Sequence, residues 1–196
     1  MRKPNRIYCS LTVAIMAALL VAGCSISERK SGDREKVDIR SPLGGMKVET
    51  NIDPRDVGLA IYPGARIKPS EDAHRDKSAN VNIDTPFFKL KVVALDYLSD
   101  DSPDKVVDFY KKDMARYGKV ITCSGAAQSS KYGGAVEHDE GGMRLKLNCD
   151  DVGSGKSTEL KAGEGSSQHI VGITPNGKGT EFGVVYIQLH GQGETM

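Results

Sequence analysis

Residues 87–118, FFKLKVVALDYLSDDSPDKVVDFYKKDMARYG, decide the fold class. Their first part, Phe87 to Leu98, carries Val92 and Val93 at its centre and apolar residues at both alternating positions. A strand that is apolar on both faces belongs in the interior of a sheet with cover on each side. The second part reads as a helix. Ser102 before Pro103 pairs a favoured N-cap with a favoured first helical residue. Asp104 puts a negative charge in the first turn, where the helix dipole favours it. Val106, Tyr110, Met114 and Tyr117 recur at helical spacing, Phe109 widens that stripe, and Gly118 ends it. The spacing predicts a helix from Pro103 to Tyr117 with one buried face.

Strand and turn signals surround this pair. Upstream, Val37 and Ile39 alternate with polar residues, Pro42, Gly44 and Gly45 mark a turn, and Met46 and Val48 alternate again, as a short hairpin would. Residues 53–69 start in a turn, carry the Pro63-Gly64 signal and end extended. Residues 70–86 are polar, include His74, and read as an exposed connection. Downstream, Lys119 to Cys123 places Ile121 and Cys123 on one face. Met143 to Cys149 alternates, with Met143, Leu145, Leu147 and Cys149 inward and Arg144, Lys146 and Asn148 outward. His169 to Thr174, then Pro175-Asn176-Gly177, then Thr180 to Leu189 read as a terminal hairpin with a longer loop. No repeat at a solenoid period is present. Strands around one helix predict an α+β fold, an antiparallel sheet with one principal helix packed on a face.

The amino-terminal segment has a different character. Arg2, Lys3 and Arg6 precede a low-polarity stretch from Leu11 to Ala22, the charge pattern and length of an export signal and short for a membrane span of about 20 residues. Leu20-Val21-Ala22-Gly23-Cys24 resembles the bacterial lipobox. That resemblance implies cleavage after Gly23, a diacylglyceryl group on the Cys24 sulfur and an acyl group on its amine, enough lipid for stable anchoring. Ser25, where Asp would retain a lipoprotein at the inner membrane, implies the outer membrane facing the periplasm in a host that has one. A plain membrane anchor is the alternative, diluted by Tyr8, Ser10 and Thr12. Residues 24–36, SISERKSGDREK after the cysteine, are too polar to offset ordering entropy and predict a disordered, flexible tether. The expected organisation is a leader over 1–23, a lipidated tether over 24–36 and a single domain over 37–196.

Without residues 1–23 the chain holds 24 Lys and Arg against 26 Asp and Glu. That balance argues against a nucleic-acid partner, which calls for a basic face. Tryptophan is absent and Gly numbers 22, so the core must rest on aliphatic residues with a few Tyr and Phe, and turns must be many. Cys9 leaves with the leader. Cys123 and Cys149 form an even pair in an oxidising compartment, which predicts a disulfide. Two buried thiols are the alternative, and a metal site lacks further ligands at suitable spacing.

Some segments imitate chemistry. Gly153-Ser154-Gly155-Lys156-Ser157-Thr158 looks like the tail of a phosphate loop, but Asp150 stands where the cradle needs a glycine, Asp151 adds a second carboxylate, and Gly163 and Gly165 make the following stretch a poor helix. No nucleotide is expected. His138-Asp139-Glu140 between glycine pairs is a weak candidate for a divalent metal, with a polar hairpin tip as the bland alternative. His74, His169 and His190 are scattered, and no nucleophile elbow is present. Tyr110 and Tyr117 could line a ligand pocket or simply fill core.

PLGGMKVET, IYPGA and SPDKVVDFYKKDMARYG resemble segments of a recurrent group of small bacterial lipoproteins and secreted proteins. In that group a Tyr-Pro-Gly-Ala segment precedes a strand and then a helix carrying a Phe-Tyr pair. The resemblance covers about residues 37–123 and implies packing elements, with no activity attached. The leading expectation is a non-catalytic, lipid-tethered envelope domain that binds or scaffolds an envelope protein or glycan, with no cofactor. The alternatives are a small envelope hydrolase or metal-dependent enzyme using His138 or His169, and a small-molecule sensor or carrier with a pocket under the helix at Tyr110 and Met114.

Overall fold

The computed structural model describes residues 24–31, 34–50, 52–69, 78–125, 136–139, 142–145, 147–149 and 155–191; for residues 30, 31, 34, 136–139 and 142–144 the description is of the backbone alone. The strands are β1 (Ser25–Ser31), β2 (Arg34–Ser41), β3 (Gly44–Glu49), β4 (Arg66–Ile67), β5 (Ser78–Asp84), β6 (Phe88–Ser99), β7 (Ile121–Ser124), β8 (Val136–Asp139), β9 (Gly142–Leu145), β10 (Thr158–Glu164), β11 (Ser167–Asn176) and β12 (Gly179–Gly191). One helix, α1 (Pro103–Met114), continues as a 3-10 turn over Ala115–Tyr117, and a second 3-10 turn spans Pro54–Val57. Ten strands form one open antiparallel sheet in the order β1-β2-β3-β5-β6-β12-β11-β10-β7, with β4 beside β6; β8 and β9 form a separate hairpin. Among the described residues the fold is mostly sheet with one helix, so α+β describes it loosely. Among the described residues no helix is long and apolar enough to cross a membrane.

The sheet has two apolar faces because β6 and β12, its centre, are apolar at both alternating positions. On one face Val93, Leu95, Tyr97, Phe182, Val184, Val171, Ile173, Leu160 and Ala162 are buried beneath Val106, Tyr110 and Met114 of α1. The segments singled out by resemblance meet here. Tyr62 of the Tyr-Pro-Gly-Ala turn stands edge-on to Phe109 at 5.1 Å and to Phe182 at 6.1 Å, and Tyr110 lies 5.6 Å from Phe182. Pro63-Gly64 turns the chain, with Gly64 at φ +74° and the Ala65 N–H donating to the Tyr62 carbonyl, so that Tyr62 enters the core while its hydroxyl donates to Asp101 at 2.9 Å. Aromatic edges on faces add about 0.5–1.5 kcal/mol to their area burial.

Some expectations need correction. The predicted tether forms β1 and the start of β2, paired from Ser25↔Arg40 to Ser31↔Arg34. Backbone pairing orders an edge strand whose side chains from Ser25 to Arg29 stay in water, a route to order that composition does not weigh. The sheet therefore begins at Ser25, ahead of the expected boundary at 37. The polar connection over 70–86 contains β5, in which Ala79, Val81 and Ile83 alternate with Asn80 and Asn82, whose side chains bond each other at 2.9 Å. The β2–β3 turn is Pro42-Leu43, with Gly44 already paired to Ser41. The terminal hairpin closes on the two residues Gly177-Lys178 rather than a longer loop, because Pro175 and Asn176 pair with Thr180 and Gly179. Ser102 caps α1 with its carbonyl, which accepts the Lys105 N–H at 3.1 Å, and not with its side chain. The strand expected over Met143–Cys149 stops at Leu145, and β10 follows Gly155-Lys156 where a phosphate loop would need a helix.

Phe182 joins Tyr62, Tyr97 and Tyr110 in a single aromatic cluster and is 1 % exposed. Phe182→Ala should lower the free energy of unfolding by roughly 3–5 kcal/mol. Urea titration monitored by circular dichroism checks this; a loss under about 1 kcal/mol, the range of volume-conserving swaps, would refute the packing described.

Candidate functional site

The second face of the sheet is where the structure leaves chemistry open. Strand register lays two apolar rows across it. One runs Ile26, Ile39, Met46, Ile83, Leu90, Leu189; the other runs Val37, Val48, Val81, Val92, Ile187. Apolar residues repeated at every second position on consecutive antiparallel strands give a continuous face.

Half of that face is covered. Leu145 of β9 packs against Ile170, Val185 and Ile187. The cover is held from below by three different bonds. Cys123 of β7 and Cys149 are joined in a disulfide with Cα atoms 5.4 Å apart. The Gln168 amide nitrogen donates to the Leu145 carbonyl at 2.6 Å, and the Lys161 ammonium donates to the Asn148 carbonyl at 3.0 Å. Polar side chains projecting from β10 and β11 into an otherwise apolar face thus find partners in the flap, as buried polar groups must. Over β2, β3 and β5, the elements among the described residues that pack substantially are the neighbouring strands of the sheet. Val37, Ile39, Val48, Val81 and Ile83 are half-buried there, and Met46 is 38 % exposed.

The opposite side of the same strands is polar. An open trough of about 650 Å³ runs past Asp38, Arg40, Lys47, Asn82 and Asp84. Its charges neutralise one another: Arg40 pairs with Asp38 at 3.0 Å, Lys47 and Lys36 with Glu49 at 3.0 and 3.1 Å, and Lys89 with Asp84 at 3.4 Å. The guanidinium of Arg40 holds the Asp38 carboxyl below its usual range. Such a trough is open, solvated surface whose charges are paired among themselves.

The residues singled out by sequence are dispersed. Cys24 is exposed and unpaired, immediately before β1. His138 and Asp139 lie in β8, but their side chains, and all of Glu140, fall outside the described residues, as does His74. His190 is half-buried on β12, opposite Lys89. Tyr110 and Met114 are 1 % and 0 % exposed, closed packing beneath the helix. His169 is buried on the helix side, its ring stacked on Tyr117 at 3.8 Å and near Tyr186 at 5.0 Å. Gly58 allows the stack to close: a Cβ there would lie 3.1 Å from the Tyr117 hydroxyl and 3.2 Å from His169 Nε2. The Tyr117 hydroxyl and Arg116 both donate to the Gly58 carbonyl. Burial pushes the His169 pKa down to about 4, and the Arg116 charge adds to this, against the Val57 carbonyl and Asp113, which pull it up. A neutral, sealed imidazole with a buried Nδ1 that lacks a partner is a packing group, not an accessible base.

Sequence reasoning missed two features. The flap had a legible partner in the even cysteine pair, but nothing in residue order says which face it covers. The other feature is a pair of matching turns, Ser41-Pro42-Leu43 and Thr85-Pro86-Phe87, marked by a hydroxyl residue, a proline and a large apolar residue.

With a folded-state pKa near 4 against 6.5 unfolded, His169 takes its proton first in the unfolded chain. Its contribution is fully present above about pH 6.5 and is lost as pH falls toward 4, a change on the order of 3 kcal/mol. Urea midpoints measured between these pH values should fall more steeply in the natural chain than in His169→Phe; equal slopes would show that His169 is not buried neutral. No family model matches the chain, and no curated protein and no solved structure matches it.

Proposed function

We propose that this protein is a non-catalytic, lipid-anchored binding domain of the bacterial cell envelope, and that its binding surface is the apolar sheet face over β2, β3 and β5. The observation that carries the reading is the unequal cover of that face: the flap lies over Ile170, Val185 and Ile187, while Val37, Val48, Val81 and Ile83 continue the same surface beyond it. Partly exposed, contiguous apolar surface marks an interaction site. The face is aliphatic, which suits an amphipathic protein segment better than a glycan. Sugar recognition calls for polar groups and aromatic rings, and neither lies in the two rows. The lipobox resemblance supports attachment at Cys24, with export past the inner membrane and, from Ser25, residence at the outer membrane facing the periplasm. A bridged Cys123–Cys149 pair agrees with an oxidising compartment.

The hydrolase alternative loses its better base, because His169 is sealed between Tyr117 and Tyr186. The carrier alternative placed its ligand at Tyr110 and Met114, where side chains fill the space.

A photo-crosslinking residue placed at Val81 in intact bacteria should give one discrete adduct, and the same residue at Lys47 on the polar side should give none. Equal adducts at both positions, or none at Val81, would refute the binding face. Mass spectrometry of the native protein should find diacylglyceryl on an amino-terminal Cys24; an unmodified terminus with the leader attached would remove the anchor.

A further inference from the structure

The large apolar side chains that stand exposed among the described residues are not scattered. Ile26 is 73 % exposed, Leu43 76 %, Phe87 69 % and Met46 38 %, and only Ile61 lies apart from this group. Register brings the group together. Ser25 lies opposite Arg40, so Cys24 leaves β1 beside the Ser41-Pro42-Leu43 turn. Gly45 lies opposite Asp84, so that turn is flanked by Thr85-Pro86-Phe87. The two turns touch: a Cβ on Gly44 would collide with the Asp84 carbonyl and come within 3.0 Å of the Thr85 Cα. With strands about 4.8 Å apart, Cys24, Leu43 and Phe87 span on the order of 15–20 Å along one end of the sheet.

Both turns are built the same way. In the first, the Ser41 hydroxyl accepts the Leu43 N–H at 3.3 Å and donates to the Gly44 carbonyl at 3.0 Å. In the second, the Thr85 hydroxyl accepts the Phe87 and Phe88 N–H groups at 3.2 and 3.0 Å and donates to the Phe88 carbonyl at 2.9 Å. Proline fixes φ in the middle of each. A large apolar residue at a loop tip ordinarily folds back onto the protein. Here two adjacent turns are braced by their own hydroxyl hydrogen bonds, and Leu43 and Phe87 stand exposed at their tips.

We propose that this end of the sheet is a membrane-contact edge: Leu43 and Phe87, with Ile26 beside them, dip into the surface of the phospholipid bilayer that holds the lipid on Cys24. The proposal rests on attachment at Cys24. Cys24 immediately precedes β1, so the attachment point lies at this end of the sheet, beside the patch. Apolar side chains at an interface add binding in proportion to the area they bury, and one lipid anchor fixes a point without fixing an orientation. Two further contacts, on different strands, would define a plane. The charges beside the tips, Arg40 with Asp38 and Lys89 with Asp84, are paired, so the contact is apolar and does not depend on anionic lipid.

The absence of tryptophan from the chain makes the test direct. The full protein, purified from bacterial membranes, is reconstituted into phosphatidylcholine vesicles that carry brominated acyl chains. Leu43→Trp, Phe87→Trp and, at the opposite end of the sheet, Lys178→Trp each supply a single reporter. The proposal expects blue-shifted emission and at least twofold stronger quenching for L43W and F87W than for K178W, unchanged between about 0.1 and 1 M salt. If the protein floats with the vesicles and F87W is quenched no more than K178W, the edge is refuted while the anchor stands. If Cys24 carries no lipid and the protein does not float, the anchor reading falls and the edge falls with it.

Discussion

The pairing of β6 with β12 is the constraint on which the rest of the structure depends. The two longest strands run together from Ser99↔Thr180 to Phe88↔Gly191. Both are apolar at odd and even positions, so the pair presents Val93, Leu95, Tyr97, Phe182 and Val184 to one side and Leu90, Val92, Ala94, Val185 and Ile187 to the other. A strand pair of this kind is stable only if both sides leave water. Helix α1 and the Tyr62 turn cover the first side completely. On the second, Leu145 of β9 packs over Ile170, Val185 and Ile187, and a disulfide and two side-chain hydrogen bonds hold the segment there. Among the described residues the flap packs on Ile170, Val185 and Ile187, and nothing but the neighbouring strands packs substantially over β2, β3 and β5.

Much of this was legible in residue order, and the misses share a cause. The helix was readable because Pro103, Gly118 and the stripe through Val106, Tyr110 and Met114 all point to one answer, a case of agreement between local and tertiary preference. β6 was readable because apolar residues occupy both alternating positions around Val92 and Val93. β5 was not, because Asn80, Asn82 and Asp84 dominate a window in which Ala79, Val81 and Ile83 supply the weaker apolar half. β1 was not, because an edge strand draws its order from backbone pairing, and Ser25–Ser31 has almost no apolar pattern. The flap was half legible: the cysteines suggest a bridge, but the face they close over depends on β7 and β10 sharing an edge of the sheet, a long-range fact.

His169 shows how a residue type can mislead without tertiary context. A histidine with carboxylates nearby in the sequence invites a catalytic reading. In the fold, Gly58 removes a side chain from its path, Tyr117 covers its face, and the imidazole is held neutral by loss of water. The same desolvation that could tune a general base here comes with a ring 5 % exposed and stacked under Tyr117. Packing explains the depressed pKa of His169.

The two proposed surfaces have a geometric relation that bears on how the protein could work. The braced turns lie at one end of the strands, and the apolar face runs along them. If the tips rest on a bilayer, strands of six to eight residues stand away from it for about 20–25 Å. The face over β2, β3 and β5 would then look sideways, parallel to the membrane plane, with its lower margin at the lipid surface and its upper margin in the aqueous compartment. Attachment by a loose tether at residue 36 would have left that face free to point in any direction. Attachment at Cys24, directly before the first strand, would tie the orientation of the proposed binding surface to the membrane through a single antiparallel hairpin. The ordered β1–β2 pairing is therefore the element that would turn an anchor into an orienting device, and it does so with edge-strand hydrogen bonds rather than with buried area.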